Sequence, residues 1–207
     1  HKDADHSGGA AAVLAAFDKA QVYTSMQRAA DWPSNTLVER CLAGRAWVWD
    51  GVRFEFLHPE TEDYARNYST NAMSCVLRVS NGRHSILLVG DIPQQQELAI
   101  IARTPPAQLR STILLAAHHG SKTSSSAEFL QAVAPAQIWL QTGYLNRYGH
   151  PATAVMARYA DAGLPSRNTA SCGAIRWQSS QPDSSTCARR ERPRYWWHQV
   201  PDSGLAD

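Results

Sequence analysis

The chain has 207 residues, enough for one domain with a sizeable core. Its 20 lysines and arginines nearly balance its 18 aspartates and glutamates, which excludes a bulk basic coat and leaves any nucleic-acid reading to a local patch. A hydrophobic fraction of 43% is that of a globular domain, and no apolar run approaches the ~20 residues of a membrane helix.

The first residue is His1 and it falls inside a candidate metal motif, so the expectation is a piece of a longer protein. Its preceding strands, and any signal peptide, would lie upstream. Ser7-Gly8-Gly9 and the Ala/Val/Leu-rich run through Phe17 read as a turn entering a helix over residues 7–30, broken at Asp31 to Asn35 by Pro33. Trp47, Trp49, Val52, Phe54 and Phe56 alternate about Asp50-Gly51, a hairpin signature. Glu60 to Ser69 is polar and loop-like. Ser74 to Val79 and Ser85 to Val89 read as two strands joined at Asn81-Gly82, the second ending at Gly90-Asp91.

A helix is expected over Pro93 to Ala102, with Pro105-Pro106 interrupting the chain. Thr112 to Ala116 is a buried strand that delivers His118-His119-Gly120-Ser121. A short helix from Ser126 to Val133, a strand from Gln137 to Gln141, a loop from Gly143 to Pro151 and a helix from Ala152 to Ala162 follow. Strands resume at Ala174 to Trp177 and Tyr195 to Val200. Strands alternating with helices, each strand ending in a polar cluster, predict an α/β layered fold in one domain, residues 1–207.

The opening HKDADH carries the densest chemistry. His1, Asp3 and Asp5 alternate on an extended loop and can converge on one point, with His6 turned toward a second. Imidazoles and carboxylates suit Zn or Mn; a solvated polar terminus is the bland alternative. Asp91 follows Gly90 at a strand end, where its two oxygens can serve a two-metal clamp or, before Pro93, cap a helix. His118 and His119 face opposite ways if they continue the strand, so one binds metal while the other donates a proton or holds a phosphate oxygen. The alternative is a strand-end histidine satisfied by backbone. In GYLNRYGH (143–150), Asn146 and Arg147 can bond phosphate and Tyr148 can stack. His150 reads equally as a binding or a helix-entry residue.

None of Cys41, Cys75, Cys172 and Cys187 lies in a Cys-x-x-Cys pair, so a zinc ribbon is not expected. Cys172 and Cys187 flank a Ser/Gln/Pro/Asp loop, as a disulfide stapling a hairpin would. Cys41 and Cys75 border predicted strands and could also pair; four buried free thiols is the other reading. Disulfides would imply an oxidising, extracytoplasmic setting. RRERPRYWW (189–197) mixes arginines and aromatics, fitting either a single-stranded nucleic-acid track or a terminal strand packed in the core.

Together these motifs resemble the metallo-β-lactamase superfamily, with its His-x-His-x-Asp-His before a glycine-containing turn, a later strand-end Asp and further histidines. Asp3 stands where the second His is usual. That departure, with NAMS (71–74), LLVGDI (87–92), HHGSKTSSS (118–126) and NRYGHP (146–151), looks like the C-terminal domain of the ComEC family of competence membrane channels. The likeness runs from His1 to about Gly173–Trp177. It implies an αββα sandwich, incomplete here for want of its N-terminal strands, with the metal site at strand ends. It also implies DNA uptake in which one strand enters and the other is degraded.

By this resemblance His1, Asp3, Asp5, His6 and Asp91 are metal-site residues, with His119 the preferred ligand of its pair and His118 the supporting or acid group. Asn71 and Ser74 fall where the superfamily often has another His ligand. Pairing of Cys41 with Cys75 looks like the pattern of Gram-negative members. The implied parent sits in the inner membrane, this domain on its periplasmic side, with the competence channel and its DNA-receptor proteins as partners.

The expected chemistry is hydrolysis of single- or double-stranded DNA by one or two divalent ions, Zn or Mn, that bring the pKa of water toward ~7. Asp5 would orient that water or accept its proton, with His118 as the second catalytic residue. Asn71, Ser74, Ser121, Lys122, Asn146, Arg147 and His150 are the substrate-side candidates, with Lys122 and Arg147 on phosphate. Two alternatives stand beside this: a phosphodiesterase on a small substrate such as a choline-phosphate ester, and a non-catalytic module that guides DNA beside a channel.

Overall fold

The structure, a computed structural model, describes residues 1–196. Two helical turns open it, α1 (Ala4–Ser7) and α2 (Ala10–Ala16), followed by a parallel pair, β1 (Gln21–Thr24) and β2 (Leu37–Arg40). Then come β3 (Ala46–Trp49), β4 (Val52–His58), β5 (Val76–Ser80) and β6 (Ser85–Leu88), with 3-10 turns at Thr61–Ala65 and Asn71–Met73. Next are α3 (Gln94–Arg103), α4 (Pro106–Leu109), β7 (Ile113–Leu115), a 3-10 turn at Ala117–Gly120, α5 (Ala127–Val133), β8 (Gln137–Leu140), α6 (Thr153–Asp161) and β9 (Ser166–Asn168). The described part closes with α7 (Thr169–Cys172), the antiparallel pair β10 (Ile175–Trp177) and β11 (Ser185–Cys187), and α8 (Ala188–Glu191).

Strands β3 to β9 form one seven-stranded sheet in sequence order. Its first half is an antiparallel meander, set by the tight turns at Asp50-Gly51 and Asn81-Gly82. Its second half is parallel, because α3, α5 and α6 each return the chain between β6, β7, β8 and β9. This is a mixed α/β fold, as the alternation of strand and helix patterns predicts.

The core lies on one sheet face. Val76, Leu87, Leu114, Ile138 and Leu140 pack with Ile100, Phe129, Val133, Val155 and Tyr159 from the helices, all at most 1% exposed. The opposite face carries Leu77, Val79, Ile86, Leu88, Leu115 and Trp139, in register with one another and only partly buried. The strict buried/half-buried alternation along β6 follows from the two-residue period of a strand.

The helix expected over 7–30 stops at Ala16, and Gln21 begins a strand instead. Tertiary contact decides this: Val22 pairs with Val38, and Tyr23 stacks on Trp47 at 5.1 Å. The polar stretch after Glu60 is a 3-10 turn closed by a capping box, with Asp63 buried and accepting the Glu60 N–H at 2.9 Å. Tyr195 and Trp196 lie in a turn and both are exposed, so neither packs in the core as a terminal strand would; the rest of the expected strand Tyr195 to Val200 falls outside the described residues.

All four cysteines are oxidised, as Cys41–Cys75 and Cys172–Cys187, and the second pair closes the β10–β11 hairpin. Among the described residues no helix is long and apolar enough to cross a membrane.

Candidate metal centre

Parallel strands ending at one edge of a sheet place their following loops side by side. Here β6 leads into Gly90-Asp91, β7 into His118-His119, and β8 into Gln141-Thr142. Backbone bonds stitch these loops together: His118 N–H to the Gly90 carbonyl at 3.0 Å, Ala116 N–H to Trp139 at 2.8 Å, and Gln94 N–H to Thr123 at 2.9 Å. The opening turn of the chain folds against Asp91.

His118 and His119 do not continue β7. Both take left-handed backbone, φ 50° and 55°, a conformation that non-glycine residues adopt at a cost. Both rings therefore face the cluster, against the expectation that strand alternation would turn one away. Gly120 follows with φ 83°, where a Cβ would stand 2.7 Å from Cβ of Pro151 and 2.9 Å from Cδ2 of Leu140.

Five side chains from three segments converge in two overlapping groups, His1·His6·Asp91 and Asp5·His6·His119. Within each group the potential ligand atoms lie within 4.8 Å of one another. His6 Nε2 sits 3.2 Å from Asp91 Oδ1 and 3.2 Å from His119 Nε2, so it belongs to both groups rather than to a separate point. The reason is local: Ala4–Ser7 is a helical turn, not an extended loop. Asp5 accordingly points away from His1 and toward His119, at 3.2 Å. Asp3 stays beside His1, with Oδ2 3.7 Å from His1 Nε2 and Oδ1 accepting from the Thr70 hydroxyl at 3.0 Å.

Asp91 is the centre of the arrangement and is 3% exposed. Its Oδ1 faces His6 and His119; its Oδ2 faces His1 at 3.5 Å and His118 at 3.7 Å. Burial alone pushes its carboxyl up, but His1 and His6, with the further charge of His6 and His119, outweigh that and hold it far below the usual carboxylate range.

Two imidazoles are aimed from behind. His119 Nδ1 donates to the Gln141 carbonyl at 2.7 Å, which leaves its Nε2 lone pair for the cluster. His1 Nδ1 lies 3.0 Å from the Ser74 hydroxyl, and His1 Nε2 is buried without a hydrogen-bond partner. A buried nitrogen that makes no close hydrogen bond and stands 3.5 Å from a carboxylate oxygen among imidazoles fits a divalent cation. The donor set of imidazole and carboxylate suits Zn or Mn.

The substrate-side candidates separate in space. Asn71 reaches the centre, its Nδ2 3.4 Å from His118 Nε2. His150 stands 5.7 Å from the His118 ring, with Nδ1 buried and unpartnered; burial, then the neighbouring imidazoles, holds it below the ordinary histidine value. Lys122 and Arg147 are exposed, and the Arg147 guanidinium lies over Tyr148 at 4.9 Å.

Two candidates are buried in the scaffold, and a third is tied into its own loop. Ser74, 1% exposed, bonds His1 and the Asp91 N–H and cannot meet a substrate. Ser121, 5% exposed, pairs with Thr123 Oγ1 at 3.0 Å inside its own loop. Asn146 bonds the Gly143 and His150 carbonyls and the His150 N–H, which shapes the loop, and it also lines the cavity beside Asp5 and His119.

A cavity of about 430 Å³ opens beside Asp5 and His119, bounded among others by Gln141, Asn146, Tyr148, His150 and Thr169. Sequence reasoning missed Thr70, Thr123 and the Gln141 carbonyl. Thr123 Oγ1, 3.5 Å from His118 Nδ1, sits in the Ser/Thr cluster after the histidines, and Gln141 ends a strand, which are the only signals that pointed to them.

No protein-family model matches the chain. Over 202 residues, 97% of its length, it is 35% identical to the competence protein ComA of Neisseria gonorrhoeae, covering 27% of that protein. It is 32% identical over 97% of its length to recombination protein 2 of Haemophilus influenzae, covering 24% of it. It is 30% identical over 96% of its length to the uncharacterized protein YcaI of Escherichia coli, covering 25% of it. The chain thus spans about a quarter of the length of these curated relatives.

Proposed function

From the premise that this chain is homologous, over nearly its whole length, to a segment of competence proteins, we propose that it is the metal-dependent phosphodiesterase domain of a DNA-uptake protein. On this reading it degrades the strand that is not transported. The observation that carries it is the convergence of His1, Asp5, His6, Asp91 and His119 at the strand ends.

His1, His6 and Asp91 would hold one divalent ion, with Asp3 beside them; Asp5, His6, Asp91 and His119 would hold a second or share the first. When bound, such an ion stabilises negative charge on phosphoryl oxygens and makes nearby water more acidic. Asp5 is exposed toward the cavity, and its carboxylate takes the proton of the attacking water. His118 lies outside both ligand groups and faces the phosphate, steadied by Asn71 and Thr123, to bond its oxygen or return a proton to the departing deoxyribose oxygen. Lys122 and Arg147 contact flanking phosphates from the rim.

The finer fold proposed is the metallo-β-lactamase-like αββα sandwich. The half-covered apolar face with Leu77, Leu88, Leu115 and Trp139 is where a second sheet of such a sandwich packs. Two disulfides suit an oxidising compartment, and the proposed location is the periplasmic side of the inner membrane, next to the channel and its DNA receptors.

The test is cleavage of single- and double-stranded DNA with added Mn²⁺ by the parent protein and by Asp5→Ala. Metal-dependent cleavage that disappears in the variant supports the reading. A folded, metal-loaded protein that cuts neither DNA overturns it, in favour of a DNA-guiding module or, if choline-phosphate esters are cleaved, a small-substrate phosphodiesterase.

A further inference from the structure

The turn Asn71–Met73 has two sides. Asn71 faces the metal centre, while Met73 lines a separate cleft of about 470 Å³ between the β1–β2 region and the turn Thr61–Ala65. Three arginines border that cleft, Arg28, Arg40 and Arg66. None of the three is in an ion pair among the described residues. Of the two acids of the cleft, Glu39 pairs with Arg45, and buried Asp63 accepts the Glu60 N–H and faces His58; Asp63 and Glu62 act on Arg66 only through space, without an ion pair.

The guanidinium groups are also held in place. Arg40 lies over the Tyr64 ring at 4.5 Å, and Tyr64 itself is fixed by donating to the Cys41 carbonyl at 2.8 Å. Arg66 donates to the Tyr68 hydroxyl at 2.8 Å, and Arg28 to the carbonyls of Trp32 and Pro33. Surface arginines ordinarily find a carboxylate or stay mobile. Three that are braced by neutral groups, with no carboxylate paired to any of them, make a preformed anion site, and the forked guanidinium matches phosphate geometry.

We propose that this cleft binds the sugar-phosphate backbone of a single nucleic-acid strand that continues past Asn71 into the metal centre. The inference rests on the phosphodiesterase reading of that centre. The cleft lies one turn of chain from the cluster, and the aromatic faces of Tyr64 and Tyr68 already stack on arginine, so recognition is by charge and independent of base sequence. The cleft also gathers what the near-neutral bulk charge does not, three arginines against two acids, Glu39 and Asp63, that already have other partners.

The test is fluorescence anisotropy of a fluorescein-labelled oligothymidylate in EDTA, across a salt series, where no cleavage can occur. The variants are Arg66→Ala, whose side chain is exposed, the triple Arg28→Ala/Arg40→Ala/Arg66→Ala, and Arg83→Ala in the β5–β6 turn, outside the lining of the cleft, as a charge control. Every arginine withdrawn from a phosphate should make the negative slope of log K against log salt shallower by about 0.7, so its magnitude drops by about 2 in the triple variant and by about 0.7 in Arg66→Ala. The Arg83→Ala slope should equal that of the parent.

Equal slopes in parent, Arg66→Ala and the triple variant overturn the cleft while leaving the phosphodiesterase reading intact. So does a fall in Arg83→Ala as large as in Arg66→Ala. A parent protein that binds no oligothymidylate overturns the cleft, and Mn²⁺-dependent cleavage then decides the phosphodiesterase reading separately. If the triple variant is unfolded by its thermal transition, Arg66→Ala alone decides.

Discussion

The hydroxyl of Ser74 stands 3.0 Å from His1 Nδ1 and 3.0 Å from the backbone nitrogen of Asp91. One buried oxygen thus ties together the two ends of the cluster, which are far apart in sequence. Asp91 N–H must donate to it, and His1 Nδ1–H donating as well leaves His1 Nε2 free to bind a cation. Gly90 permits this contact, since a Cβ there would stand 2.8 Å from Cβ of Ser74. Ser74→Ala should therefore weaken metal binding about 10–100-fold while the protein stays folded. Titration with Mn²⁺ or Co²⁺ in the absence of substrate reads this directly. Unchanged affinity would mean that Ser74 only fills space.

Glu97 is 0% exposed, and its carboxylate accepts the Ser125 and Ser126 N–H groups at 2.6 and 2.8 Å. Burial pushes its carboxyl above the ordinary value; the Ser126 and Ser125 bonds and Arg158 oppose but do not cancel it. The same loop begins at His118, so Glu97 holds the far end of the histidine segment. Glu97→Ala leaves two buried donors unmet, at about 1–3 kcal/mol each. Urea unfolding should show a loss of about 2–6 kcal/mol. A variant as stable as the parent would assign the loop to its other ties, chiefly Arg158 to the Ser124 and Ser125 carbonyls.

The hairpins at Asp50-Gly51 and Asn81-Gly82 were legible because turn chemistry is local. The helices α3, α5 and α6 were legible from apolar period and caps. What failed depended on distant partners. Nothing near Gln21 announces that Val22 will pair with Val38, or near Ser121 that its hydroxyl turns inward. At the site, HKDADH pointed to residues that the fold does bring together but not to their sharing: the helical turn Ala4–Ser7 makes His6 common to both groups, and left-handed backbone at His118 and His119 undoes strand alternation. The arginine cleft was invisible, because Arg28, Arg40 and Arg66 are far enough apart in sequence to read as ordinary surface charge.

His58 is 1% exposed, with Nε2 donating to the Ala72 carbonyl at 2.7 Å and Nδ1 accepting from Arg103 at 2.9 Å. Burial first, then Arg103, hold it below its ordinary value, against the Ala72 bond and Asp63. The folded state thus keeps His58 neutral where the unfolded chain would protonate it. Its contribution is fully present above the unfolded value of about 6.5 and is lost as pH falls through and below it. Urea midpoints at neutral and mildly acidic pH should fall more for the parent than for His58→Gln. Parallel declines would remove His58 as the source.

The disulfides divide the molecule's stability from its site. Cys172–Cys187 closes 15 residues around the β10–β11 hairpin. Cys41–Cys75 closes 34 and joins the end of β2 to the residue after Ser74. Loop-closure entropy assigns each roughly 3–4 kcal/mol. Replacing either pair by serines should therefore lower the urea midpoint by comparable amounts. Only the Cys41→Ser/Cys75→Ser variant, however, releases the segment that carries Asn71 and Ser74. It should also lose metal affinity, in the way Ser74→Ala does, whereas Cys172→Ser/Cys187→Ser should keep it. Metal titration on the folded fraction of both variants separates the two effects. Equal metal affinity in both variants would show that the Asn71–Ser74 turn is held by its own bonds, the His58–Ala72 contact foremost, and that the first disulfide, like the second, stabilises the fold without positioning the centre.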